Sequence, residues 1–233
     1  SDGALSTQSD YTFSITNVNE APTISTASIA NKAEGITALG TISASDPDSG
    51  SSLSFSLVNS EGLKDEGLLS IDSSSGSITF AVAPDYESPS DIGLNNTIEF
   101  SVKVSDGSLS ATQSYSLSIT NVNEAPIISS ASFAIAEQST AVGSISASDP
   151  DASTTLTFSL ASGSAAVDDA KFSINSTTGA VSFLATPNFE SPTDNGLDNV
   201  YNFTVNVSDG SLTSSQAVAV SVGNVNEAPT ISS

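Results

Sequence analysis

The sequence predicts an all-β protein made of tandem seven-stranded antiparallel Greek-key β-sandwiches, set end to end in an extended array. Three observations predict it. Landmark motifs return about every hundred residues, apolar and polar residues alternate within each unit, and clusters of Gly, Pro, Asp and Ser interrupt the alternating runs.

The repeat is read from its landmarks. The heptad TNVNEAP begins at Thr16 and Thr120 and returns as GNVNEAP at Gly223, so Asn17, Asn121 and Asn224 stand 104 and 103 residues apart. SDG begins at Ser1, Ser105 and Ser208, and SASDPD at Ser43 and Ser146. LSIDSSSGSITF from Leu69 corresponds to FSINSTTGAVSF from Phe172, and PDYESPSDIGLNN from Pro84 to PNFESPTDNGLDN from Pro187. Units this long exceed the usual solenoid repeats and match a string of independent domains. The expected division is residues 1–19, the last strand and linker of a preceding truncated repeat; 20–123 and 124–226, two complete repeats; and 227–233, the start of the next.

Within a unit the period is two. In YNFTVNVSDG, Tyr201, Phe203, Val205 and Val207 face one way, and Asn202, Thr204, Asn206 and Ser208 the other. Ile98, Phe100, Val102 and Val104 repeat that pattern in the first complete unit. Further strands are predicted at 24–30, 39–45, 53–58, 68–72, 76–82 and 109–119, which makes seven and points to a Greek-key sandwich.

Composition removes several chemistries. The 233 residues include four Lys but no Arg, His, Cys, Met or Trp, and the formal charge is −22. Without His or Cys there is no Ser-His-Asp or Cys-His nucleophile and no ordinary zinc site. Four lysines cannot hold a nucleic-acid backbone, so no nucleic-acid partner is expected. No apolar run approaches ~20 residues, so no membrane insertion is expected of this segment. SDGALSTQSDYTFSIT at the start has no signal-peptide character and reads as part of a longer protein. So acidic a chain is either disordered or dependent on cations. The strand pattern favours cations.

The acids gather in short turns at the unit ends. Unit one carries Glu34, Asp46 and Asp48 in DPD, Asp85 and Glu87 in DYE, and Asp106 in SDG; unit two carries Glu137, Asp149, Asp151, Glu190 and Asp209, with Asn188 in the place of Asp85. DPD, DYE or NFE, FSINSTTGAVSF, VSDG and NVNEAP, in one order and twice over, resemble the cadherin repeat. The Ser, Thr and Asn content and the FESPTDNGLDN insert look more like the cadherin-like modules of large repetitive, RTX-type bacterial surface adhesins.

That resemblance implies a cadherin/Ig-like sandwich and Ca2+ held at the repeat junctions. Carried over residue by residue, it assigns Glu34, Asp85, Glu87, Asn121, Asn123, Glu124, Asp149, Asp151 and Asp209 to a complete junction. It assigns Asn17, Asn19, Glu20, Asp46, Asp48 and Asp106 to a partial junction before the first repeat. A second partial junction takes Glu137, Asn188, Glu190, Asn224, Asn226 and Glu227. The chemistry agrees independently, because calcium takes six to eight oxygens in tolerant geometry. Seven of the nine residues of the complete junction are carboxylates, −7 against the +6 of the three ions the family pattern implies. Two carboxylates ~5 Å apart repel by roughly 3 kcal/mol at an effective dielectric near 20, so calcium is expected to turn a flexible joint into a stiff one. Asn17, Asn121, Asn224 and Asn188 stand where the family often has an acid, which lowers the site charge.

The remaining motifs have plainer readings. The loops SPSDIGLNN and SPTDNGLDN read as hairpin loops; a separate calcium on Asp194 and Asp198 is disfavoured because Asn95 stands where Asp198 does. The sequons at Asn95, Asn175, Asn202 and Asn206 follow from composition. Phe172, Phe183, Phe203 and Tyr201 belong to the core rather than to a sugar-stacking platform. A glycosidase pairing of Asp85 with Glu87 is weaker than the metal reading, so no enzyme is expected. The favoured function is a calcium-stiffened spacer in a secreted or surface-anchored adhesin, with neighbouring repeats of the same chain as partners. The alternative is a calcium-dependent module that binds glycans or like modules.

Overall fold

The strands form where the alternation is longest, and turn chemistry decides where they stop. The computed structural model describes residue 3 and residues 8–59, 65–130, 132–161 and 168–229. Ser1, Asp2 and residues 230–233, which belong to the two expected partial repeats, lie outside the described residues. The chain divides into two units, Ser1–Asn121 and Val122–Ser233.

In the first unit β1 (Thr23–Ile24), β2 (Lys32–Ala33), β3 (Ala38–Thr41), β4 (Ala44–Ser45), β5 (Ser54–Leu57), β6 (Leu69–Ile71), β7 (Ser77–Phe80), β8 (Thr97–Ser105) and β9 (Ser110–Thr120) follow in order. They build one sheet of order β2-β9-β8-β5 and one of order β3-β7-β6, with β1 paired to β4. The second unit repeats the plan. There β10 (Ile127–Ile128), β11 (Ser132–Ala136), β12 (Ala141–Ser144), β13 (Ala147–Ser148), β14 (Thr157–Leu160), β15 (Phe172–Ile174), β16 (Ala180–Phe183), β17 (Val200–Ser208) and β18 (Thr213–Gly223) form sheets β11-β18-β17-β14 and β12-β16-β15, with β10 on β13. The predicted all-β sandwich architecture is therefore what the chain adopts.

Each unit has its own core, filled from the alternating faces. Ile98, Phe100, Val102 and Val104 of β8 are buried with Tyr115, Leu117 and Ile119 of β9 against Ile42, Ile78 and Phe80. In the second unit Tyr201, Phe203, Val205 and Val207 do the same, and the Phe172 ring lies 4.4 Å from Phe183 and 4.7 Å from Phe203, centre to centre. Each such side chain contributes about 1.5–3 kcal/mol on burial. Gly76, at φ +72, closes the turn before β7; a Cβ there would stand 2.5 Å from the Ile42 carbonyl oxygen, so only glycine fits.

Two strands differ from their predicted form. Of the predicted strand 24–30 only Ile24 is in a strand, at the end of β1; residues 25–30 form none, and the next strand, β2, pairs parallel with β9 (as β11 does with β18) within otherwise antiparallel sheets. The break has a cause: the Thr26 hydroxyl accepts the Ser43 N–H at 2.8 Å while its carbonyl accepts the Tyr115 hydroxyl at 2.9 Å, tying the crossing chain to both sheets. The stretch 39–45 splits into β3 and β4 after a register shift at Gly40. Finally, the loop read as a hairpin, SPSDIGLNN, joins β7 of one sheet to β8 of the other and is a crossover; SPTDNGLDN does the same between β16 and β17.

Candidate functional site

Each unit gathers acids in two places, around the segment that leads into it and around the segment that leaves it. The leading cluster of the first unit starts from the DPD turn after β4. Asp46 Oδ1 accepts the Asp48 N–H at 2.8 Å and the Ser51 hydroxyl at 3.1 Å, the local pattern Asp favours in turns. This leaves the Asp48 carboxylate facing the linker, where it accepts the Asn17 side-chain amide and, at 2.9 Å, the Glu20 N–H. Asp106 caps the SDG turn, taking the Ser108 and Leu109 N–H groups at 2.6 and 2.7 Å on Oδ1 and the Asn19 amide at 2.8 Å on Oδ2. These donors favour the charged form. Asn17 chiefly holds the Asp48 carboxyl below its ordinary range, and the Ser108 N–H does so for Asp106.

The second unit reproduces most of these bonds. Asp149 Oδ1 accepts the Asp151 N–H at 3.0 Å, Asp151 accepts the Glu124 N–H at 2.9 Å, and Asp209 accepts the Asn123 amide at 2.7 Å and the Ser211 and Leu212 N–H groups. Asn123 is the main cause of the lowered Asp209 pKa. In both units the other oxygen of the first DPD aspartate, Oδ2 of Asp46 and of Asp149, is buried without a hydrogen-bond partner.

The leaving cluster is organised by one buried glutamate per unit. Glu34 follows β2, and its N–H bonds the Thr120 carbonyl at 3.1 Å, which places it where β9 ends. Glu34 Oε2 accepts the Tyr86 N–H at 2.7 Å, so Asp85 and Glu87, on either side of Tyr86, bring carboxylate oxygens within 4.8 Å of it and of each other. Asp85 also caps Ser88 N–H at 2.8 Å. In the second unit Glu137 accepts the Phe189 and Val225 N–H groups, both at 2.8 Å, and these lower its pKa, Phe189 most. Glu137, Glu190 and Glu227 each offer an oxygen within 4.8 Å of the others. Glu190 accepts the Asn224 amide, Glu227 the Gln138 amide, and Asn188 caps Ser191 as Asp85 caps Ser88. Asn121 and Asn226 are exposed.

The sequence pattern gives no role to three buried carboxylates, and to a fourth, Asp194, only a place in a loop. Asp65 and Asp91 of the first unit and Asp168 and Asp194 of the second are each at most 5% exposed. Asp65 accepts the N–H groups of Ile92 and Glu99, both at 2.8 Å; Asp168 accepts those of Asn195 and Asn202. Burial raises the Asp194 pKa, yet the N–H groups of Asp198 and Asn199 outweigh it and the carboxyl lies below the usual range. Both oxygens of Asp194 thus serve the loop backbone. The available signal was positional: an Asp at the same place in both repeats.

The donor sets are oxygen-only, clustered, and in one turn carry a buried unpartnered carboxylate oxygen. They fit a hard cation such as calcium; with neither nitrogen nor sulfur donors they do not fit zinc.

Two Ig-like sandwiches in series, each with an acidic cluster at its leading and its leaving segment, define a tandem repeat protein. The chain belongs to the bacterial Ig domain family (Big_9), whose profile matches residues 19–119 and again 123–221. Among solved structures it is similar to human protocadherin-24 EC1-2, with 17% identity over 90% of this chain and 100% of that one at a TM-score of 0.58. It is also similar to mouse cadherin-23 EC22-24, with 24% identity over 89% of this chain and 68% of that one at a TM-score of 0.51. At these identities the likeness is one of fold. No curated protein sequence matches the chain.

Proposed function

We propose that the two repeats are calcium-binding extender modules of a bacterial secreted or cell-surface adhesin of the large repetitive, RTX-like kind. The residues named at the three junctions would hold the ions, and calcium would stiffen the joints between repeats. The observation that carries this reading is the pair of equivalent atoms, Asp46 Oδ2 and Asp149 Oδ2, buried without a hydrogen-bond partner in the same turn of two repeats. A buried carboxylate oxygen without a donor is costly, and a cation removes that cost. The gathering of Glu34 with Asp85 and Glu87, and of Glu137 with Glu190 and Glu227, supports it.

Bound calcium would supply charge neutralisation and a shared coordination centre, and no reaction. The chain's own residues do the positioning: Pro47 and Pro150 stiffen the DPD turns, and the backbone N–H groups of Tyr86 and Phe189 aim Glu34 and Glu137. The module is non-enzymatic in this reading. Its setting is extracellular, where calcium at ~10⁻³ M suits sites of modest affinity. In this reading residues 1–19 would supply the closing strand and linker of a preceding repeat: Tyr11, Phe13 and Ile15 correspond to the core residues Tyr115, Leu117 and Ile119 but are themselves exposed, and residues 8–19 form no strand. Small-angle scattering and thermal melting, each in calcium and in chelator, test the proposal. Calcium should lengthen the particle and raise the melting temperature; unchanged shape and stability would sink it.

A further inference from the structure

We propose that Asn96 and Asn199 are positioning residues for the acidic cluster at the leaving end of each repeat, acting through the backbone of Tyr86 and Phe189. The inference rests on the calcium reading of that cluster and identifies what aims it. In the first unit Asp91 accepts the N–H groups of Asn95 and Asn96 at 2.9 and 3.0 Å, fixing the crossover loop. Asn96 is held at φ +59, and its side-chain amide donates to the Tyr86 carbonyl at 2.8 Å. The Tyr86 N–H in turn donates to Glu34 Oε2 at 2.7 Å. Both peptide planes of Tyr86 are therefore clamped, one by Asn96 and one by Glu34. Because Asp85 and Glu87 flank Tyr86, those planes set the directions in which their carboxylates leave the backbone.

The second unit reaches the same geometry with different side chains. Asp194 accepts the N–H groups of Asp198 and Asn199 at 2.9 and 3.1 Å, Asn199 sits at φ +65, and its amide donates to the Phe189 carbonyl at 3.0 Å. The Phe189 N–H donates to Glu137 Oε2 at 2.8 Å. Tyr86 has become Phe189 and Asp85 has become Asn188, yet the backbone clamp persists. Few residues could replace the asparagine. The left-handed backbone favours asparagine, aspartate and glycine, and glycine has no side-chain amide to donate. Partners outside the ligand set commonly tune metal affinity by orienting the ligands, and a preformed cluster loses less freedom on binding.

The test uses the whole chain with Asn96→Asp and Asn199→Asp, which keep shape but remove the donor, and with Asn96→Gly and Asn199→Gly, which keep the backbone conformation. Calcium affinity is measured by calorimetry, melting temperature in chelator, and amide exchange at Tyr86 and Phe189 by NMR in chelator. Loss of one hydrogen bond should weaken calcium binding at the affected end by about fivefold and speed exchange at the clamped amide. A purely structural role would lower the chelator melting temperature but leave affinity unchanged in the variants that fold. Wild-type binding with unchanged variant affinity would overturn the positioning role alone; no calcium binding by the wild type would sink the calcium reading itself.

Discussion

Replacing Asp149 by Asn should change the sign of its effect on stability when calcium is added. Oδ1 of Asp149 accepts the Asp151 N–H, a bond that an amide oxygen preserves, while Oδ2 is buried with no hydrogen-bond partner. Leaving a buried acceptor unpaired costs about 1–3 kcal/mol, and more when it is charged. In chelator Asp149→Asn should therefore be at least as stable as the wild type, since it removes the buried charge. Calcium reverses the balance. At ~10 mM ion and a Kd of ~10⁻⁴–10⁻³ M, a single site stabilises the folded state by about 1.4–2.7 kcal/mol. For a unit of this size that is roughly 6–20 °C in melting temperature. The variant should lose most of that increment. Urea denaturation of wild type and variant, each in chelator and in calcium, makes the comparison, and Asp46→Asn should behave alike in the first unit. An equal loss under both conditions would make these aspartates ordinary turn residues and refute the reasoning.

Phe203→Ala should cost about 3–5 kcal/mol in urea, because Phe203 is fully buried against Phe172 and a cavity remains. Asp72 predicts a pH dependence. The Ser75 and Ser74 N–H and hydroxyl groups on its Oδ1 hold its carboxyl well below the usual range. A depressed folded-state pKa contributes stability that is present above the unfolded value near 3.9 and is lost as pH falls through the folded value. Asp72→Ala should thus be destabilised at neutral pH and converge on the wild type in strong acid. Asn175, which caps the same turn in the second unit through the Thr177 and Thr178 N–H groups, should show no such convergence when replaced by Ala.

The sandwich was legible because β8, β9, β17 and β18 are long and alternate strictly, so period alone places Phe100 or Phe203 in a core. The broken first strand was not. Its outcome depends on Thr26 meeting Ser43 and Tyr115, a partner choice that exists only once both sheets are assembled. The acidic turns were visible as motifs because their geometry is local: an Asp two residues before the N–H it caps is written in the sequence. Asp65 and Asp168 act across 27 to 34 residues, on loop and strand N–H groups with no local signature. Sequence separation, 10 residues from Asn96 to Tyr86 and 52 from Tyr86 to Glu34, hid that link as well.

The asparagines of the linker segments have a physical reason. Asn17 donates to Asp48, Asn19 to Asp106, Asn123 to Asp209 and Asn224 to Glu190. An aspartate at any of these positions would set carboxylate against carboxylate, whereas the amide presents an N–H to the charge. Amide N–H and cation are alternative partners for the same oxygens, and rotating the amide by half a turn presents its own oxygen as a ligand instead. Asparagine thus lets a linker stay seated on its acidic cluster whether or not a cation is shared there. Aspartate would add charge and affinity for the ion at the cost of that seat. In a chain already at −22, the sequence favours the residue that serves both conditions.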